Sequence, residues 1–174
     1  MFSQPEKNIE QFHVDPGMIV ADLGSGSGFY SLALAKNVGP SGKVYAIDVQ
    51  KDLLSRLEQG AKQEGYLNIE LIWGDLDEVG GSTLKDSVAD RVVVANILFQ
   101  LEEKDNFLSE VKRILKPNGT ILVVDWSDSF SGLGPVEEQV VKQDVARVLF
   151  EDAGLKFVRE INAGDHHYGM VFKR

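Results

Sequence analysis

The sequence predicts an α/β fold: an open, doubly wound, mostly parallel sheet with helices on both faces and an antiparallel last strand. Three observations carry that expectation. Short β-rich runs alternate with helical stripes from Ile19 to Gly154. The run from Val92 to Ala95 is continuously apolar, as a parallel strand covered on both faces requires. The pattern then changes, and Lys156–Ile161 and Tyr168–Phe172 face each other across Asn162-Ala163-Gly164-Asp165, a join short enough for a hairpin.

Taken in order, residues 1–17 are polar with apolar points at Phe2, Ile9, Phe12 and Val14, and Asp15-Pro16-Gly17 signals a turn. Ile9 and Phe12 share a helical face, so this stretch is either a short helix packed over a sheet end or a lid over a ligand. Ile19–Leu23 is a short apolar strand that runs into alternate glycines at 24, 26 and 28. Phe29–Val38 is a helix stopped by Gly39-Pro40. Gly42–Asp48 is a second strand ending in an acid, and the helix after it sets Leu53, Leu54, Leu57 and Ala61 on one face. Asn68–Trp73 is a third strand, followed by Gly74-Asp75-Leu76-Asp77 and a polar Gly-Gly-Ser-Thr connection; Arg91–Asn96 is a fourth. Phe107, Leu108, Val111, Ile114 and Leu115 form a helical stripe that ends at Lys116-Pro117-Asn118-Gly119. Thr120–Trp126 is a fifth strand, and Val136, Val140, Val141, Val145, Val148 and Leu149 mark a last helix stopped by Gly154.

At 174 residues the chain fits one domain, 1–174, with a substantial core. No apolar run reaches the ~18 residues of a membrane span, and Met1–Lys7 lacks the basic and apolar parts of a secretory signal, so a cytoplasmic protein is expected. The absence of cysteine removes disulfides, thiolate metal sites and a cysteine nucleophile; no metal site is expected. With 27 acidic against 18 basic residues, a net charge of -9 and no long Lys/Arg cluster, a nucleic-acid partner is disfavoured.

Ligands of such sheets bind beyond the carboxyl ends of the strands, where strand order reverses. That rule gathers Asp22, Asp48, Asp75, Asn96 and Asp125 along one rim. The glycines supply a backbone that a ligand can touch where a strand becomes a helix. A dinucleotide site asks for G-x-G-x-x-G, and here the third glycine's place holds Phe29, which argues against a nicotinamide-dependent oxidoreductase. Asp48, 24 residues after Gly24, is placed to meet a ribose diol or to act as a helix N-terminal acid, and the two roles are compatible. Asp75 is an acceptor for an exocyclic amine, flanked by Leu76 and Val49, or a plain turn acid.

The pattern Asp22-x-Gly24-x-Gly26-x-Gly28, the acid in Ala46–Val49, the segment Ile72–Leu76, the fourth strand with its sequel Asp90–Leu101, and the Lys-Pro-x-Gly turn and fifth strand in Leu115–Val124 resemble class I S-adenosylmethionine-dependent methyltransferases over nearly the whole chain. The resemblance implies a Rossmann-like methyltransferase fold, seven-stranded with the last strand reversed, and S-adenosylmethionine as cofactor. It also implies Asp22 near the methionine amine, Gly24, Ser25, Gly26 and Gly28 along the methionine moiety, Asp48 on the ribose and Asp75 on adenine; Val49, Leu76 and Asn96 complete the expected cofactor-binding set. The tail His167–Phe172 resembles the final strand of small-molecule members such as quinone methyltransferases. The Asn/Asp-Pro-Pro-aromatic motif for planar amino groups is absent, Asn96-Ile97-Leu98-Phe99 standing in its place.

A sulfonium methyl is already electrophilic, so no base is obligatory; where one is needed, Asp125, His13 and Tyr30 are the candidates, with His166 and His167 in the tail. The expected function is methyl transfer to a small molecule or a protein side chain. The alternative is a non-catalytic S-adenosylmethionine-binding module or regulatory subunit.

Overall fold

The computed structural model describes residues 4–130 and 132–174. The chain runs α1 (Pro5–Phe12), β1 (Ile19–Leu23), α2 (Phe29–Val38), β2 (Lys43–Asp48), α3 (Lys51–Glu64), β3 (Ile69–Trp73), β4 (Ala89–Ala95), α4 (Lys104–Ile114), β5 (Leu115–Trp126), α5 (Gln143–Asp152), β6 (Lys156–Ile161) and β7 (His167–Lys173). The seven strands lie in the order β3-β2-β1-β4-β5-β7-β6. The first five are mutually parallel, and β7 inserts antiparallel between β5 and β6. The chain therefore builds outward from β1 to β3 and then crosses back to β4. Connections leave β1 and β4 in opposite directions, which opens a crevice over their carboxyl ends.

Successive side chains of a strand point to opposite faces, so a strand covered on both sides must be apolar throughout. Val92, Val93 and Val94 show this: all are fully buried, Val93 against one layer and its two neighbours against the other. One layer joins Val20, Val44 and Leu122 to Ile9 and Phe12 of α1 and Leu34 and Val38 of α2. The opposite layer joins Leu23, Ile121 and Val123 to Phe107, Val111 and Ile114 of α4 and Phe150 of α5. α3 rests on β2, β3 and α2.

Two boundaries differ from the sequence reading. The helix expected from Val136 starts only at Gln143; Glu137–Gln139 is a single 3-10 turn, and Val140 and Lys142 are extended. The apolar spacing there has a different cause. Val136 is exposed, whereas the Val141 carbonyl accepts the Tyr168 hydroxyl at 2.9 Å and is thereby held outside any helix. The fifth strand begins at Leu115, but its register shifts across the Lys-Pro-Asn-Gly stretch, where Asn118 takes a left-handed φ of 65°, and the regular ladder resumes at Thr120.

Candidate functional site

The crevice is a cavity of about 660 Å³. Its floor is the carboxyl ends of four neighbouring strands: Asp22 in β1, Asp48 at the end of β2 with Val49 beyond it, Gly74 to Asp77 after β3, and Ala95 at the end of β4 with Asn96 and Ile97 beyond it. The glycine loop crosses it. The N–H groups of Gly24 and Ser25 both donate to the Ile47 carbonyl, at 2.9 and 3.0 Å, and that of Gly26 donates to Asp48 Oδ2 at 2.8 Å. Asp48 Oδ1 accepts the Gln50 N–H at 2.8 Å, just ahead of α3. One carboxylate thus ties the loop to the second helix. A carboxylate has about four acceptor positions, so Asp48 keeps capacity for ligand hydroxyls.

Two buried oxygens on the cavity wall, Ser25 Oγ and Asn96 Oδ1, have no partner among the described residues. Buried polar atoms are normally paired, so each marks a place where a bound molecule completes the bonding. Asn96 also takes a φ of 57°, and its N–H is held by the Val124 carbonyl at 2.9 Å. A Cβ at Gly26 would meet nothing within 4 Å, so the loop presents open backbone to the cavity. These features fit the cofactor that the resemblance implies: hydroxyl, amide and carboxylate groups for a nucleoside, and bare peptide for an amino-acid moiety.

Gly28 is placed differently from the other two glycines. It sits outside the cavity with a φ of 95°, where a Cβ would collide with Leu57 of α3. The missing side chain lets the loop pack closely against α3.

Asp22 is 1% exposed and accepts the Ser31 hydroxyl at 2.6 Å. Burial pushes its carboxyl up to about 7; the Ser31 hydroxyl opposes this and the Asp48 charge adds to it. The folded state therefore holds a proton that the unfolded chain has lost above pH 3.8. An ionised Asp22 is a cost to the folded protein, absent below about pH 4, growing as pH rises and complete above about 7. Asp22→Asn should accordingly stabilise the ligand-free protein at pH 8, by about 1–4 kcal/mol, with the gain vanishing near pH 4. Thermal unfolding at the two pH values measures it, and equal stability at pH 8 would refute it.

Of the proton-acceptor candidates, only Tyr30 borders the cavity; it is buried, and its hydroxyl accepts Asn8 Nδ2 at 2.7 Å. Asp125 is a clamp rather than a base facing the cavity. Its oxygens accept the N–H groups of Ile97, Leu98 and Trp126 at 3.2, 2.9 and 2.8 Å, fixing the turn after β4. Burial raises its carboxyl to about 6 against those bonds. His13 ends α1 in a left-handed conformation, exposed and away from the cavity. His166 pairs with Asp128 at 2.7 Å and the His167 ring lies tilted against Trp126, with ring centroids 4.4 Å apart; neither lines the cavity.

In the N-terminal stretch the described residues begin at Gln4, and residues 1–3, with Phe2, lie outside them. Ile9 and Phe12 are core residues, while Gln4, Pro5 and Glu6 form one wall of the cavity. Asp77 and Gln100, which sequence reasoning passed over, also line it. Asp77 Oδ1 accepts the N–H groups of Glu102 and Glu103 at 3.0 and 2.8 Å, tying the third-strand segment to the start of α4.

Comparison with known proteins agrees with this geometry. The family described as Methyltransferase domain matches residues 14–155. The ubiquinone/menaquinone biosynthesis C-methyltransferase UbiE of Bordetella avium is 35% identical over 127 residues, which are 73% of this chain and 48% of that protein. An arsenite methyltransferase of Halobacterium salinarum is 32% identical over 111 residues, 63% of this chain and 27% of the other. The chain thus spans about half or less of the length of these curated relatives. Among solved structures, a SAM-dependent methyltransferase from Aquifex aeolicus superposes with a TM-score of 0.89 at 32% identity, covering 99% of this chain and 90% of that one. The chain belongs to the class I S-adenosylmethionine-dependent methyltransferases.

Proposed function

We propose that this protein transfers the methyl group of S-adenosylmethionine to a small molecule or a protein side chain. The observation that carries the reading is the pair of unpartnered oxygens, Ser25 Oγ and Asn96 Oδ1, on a wall that also presents Asp22 and Asp48. Asp22 and the backbone of Gly24 to Gly26 would hold the methionine part, Asp48 the ribose, and Asp75 with Leu76 the adenine. When bound, the cofactor supplies a methyl group on a positively charged sulfur, which needs no further activation. The chain's own task is to orient the acceptor and limit water; Tyr30, Gln100, Pro5 and Glu6, which line the cavity, would serve it.

Among the described residues the lining carries Glu6, Asp22, Asp48, Asp75 and Asp77 and no lysine or arginine. Such a surface repels phosphate-rich partners, which supports a non-nucleic-acid acceptor. Arsenite, named for one relative, has no thiolate here to receive it, because the chain lacks cysteine.

The test is twofold. Calorimetry should show binding of S-adenosylmethionine and of its demethylated product, and labelled methyl should pass from the cofactor into a component of a cell extract. Binding without transfer under any condition would leave a cofactor-sensing module instead.

A further inference from the structure

A second cavity, of about 350 Å³, lies between α1 and the turn that joins β6 to β7. Four amides line it, from Gln4, Asn8, Gln11 and Asn162, together with Lys7 and Asp165; the rest of its wall is small. It adjoins the first cavity. Gln4 borders both, and Asn8, which is 1% exposed, donates at 2.7 Å to the hydroxyl of Tyr30 on the other side. Its walls are fixed rather than adaptable, since Gln11 and Asn162 exchange two hydrogen bonds of 3.0 Å that pin α1 to the turn.

The two spaces differ in charge. Among the described residues, the first holds five acidic side chains and no lysine or arginine, whereas the second sets Lys7, the only cation lining either, beside Asp165. We infer that the second cavity docks the methyl acceptor, and that the acceptor is a small zwitterionic amine. Its anionic group lies at Lys7 and the amides, and its amine points past Asn8 and Tyr30 into the acid-lined chamber. This rests on the methyltransferase reading above. An apolar acceptor of the quinone kind, named for the Bordetella relative, would strip water from these amides and return nothing. The ammonium of the acceptor first loses one proton to water at the mouth, which frees its lone pair. That pair forms the new N–C bond as the S–C bond breaks, the bonding pair stays on sulfur, and the methylated nitrogen keeps the positive charge.

The experiment uses the full chain, labelled S-adenosylmethionine and a cell extract divided into water-soluble small molecules, organic-soluble molecules and protein. Label is expected in the water-soluble fraction, on a product that carries both charges in electrophoresis. With the acceptor purified from that fraction, Lys7→Ala should raise KM about five- to tenfold, as loss of one partly solvated charge contact predicts. The change should fall on KM rather than kcat, with cofactor affinity by calorimetry unaltered. Label in the organic or protein fraction, or an unchanged KM in the variant, overturns the inference. No label in any fraction although the cofactor binds is a distinct result, which removes the transfer reading and this inference with it.

Discussion

Replacing Glu110 by alanine should cost the folded state about 3–5 kcal/mol, the loss expected when one partner of a buried ion pair is removed. Glu110 lies on α4 with a fully buried side chain. Its Oε2 accepts Arg113 Nε at 2.8 Å and the Gly80 N–H at 2.7 Å; its Oε1 accepts Arg113 Nη2 at 2.7 Å together with the hydroxyl of Ser82. Arg113 reaches on to the Leu84 carbonyl and Asp86 at 2.7 and 2.6 Å. These bonds replace regular structure in the connection between β3 and β4. Burial alone would raise the Glu110 carboxyl, but Arg113, Ser82 and the Gly80 N–H overcome it and hold it down to about 2. A depressed carboxyl contributes stability that is complete above its unfolded value of 4.5 and is lost as pH falls toward 2. Urea unfolding of the parent should therefore weaken by about 3 kcal/mol between pH 6 and pH 2 from this group, and Glu110→Ala should lack that component. A variant within 1 kcal/mol of the parent at pH 7 would show that the network is dispensable.

That network also shows where sequence reading ends. Strands and helices were legible because their signal is periodic: Val92 to Val94 announce a strand with two covered faces, and the stripe through Phe107, Val111 and Ile114 announces α4. Glu110 lies inside that same stripe, and nothing local distinguishes a buried acid from a solvated one. Its partners are Arg113 one turn away and a loop 28 to 30 residues earlier. The site was legible to the same degree. Acids at strand ends share a rim by topology alone, so Asp22, Asp48, Asp75 and Asn96 come together in one cavity. Which way a rim side chain points depends on its place in the pleat and on the turn it serves. Asp125 therefore turned out to grip the Ile97–Leu98 backbone, and the helix expected at Val136 gave way to a strap held by Tyr168. The N-terminal stretch was undecidable between core and lid because an eight-residue helix can bury Ile9 and Phe12 and still present Pro5 and Glu6 to the cavity.

Asp48→Ala should weaken binding of S-adenosylmethionine by about 1.5–4 kcal/mol, roughly ten- to several-hundred-fold. The substitution leaves the β2 strand itself unchanged. The geometry adds a second cost. Asp48 is 7% exposed and accepts the N–H groups of both Gly26 and Gln50, so the variant leaves two donors without an acceptor and should also lose about 1–3 kcal/mol of stability. A simple drop in affinity would then have two explanations, direct contact with the ribose or a loosened glycine loop. A cofactor analogue lacking one ribose hydroxyl separates them through a double-mutant cycle. If Asp48 holds the diol, removing the hydroxyl should weaken binding to the parent about tenfold, the loss of one charge-assisted bond, and should cost the variant almost nothing. If Asp48 acts only by tying the loop to α3, the analogue should lose the same factor against both proteins. Calorimetry on the four combinations decides between them, and equal losses would return the ribose contact to other residues of the rim.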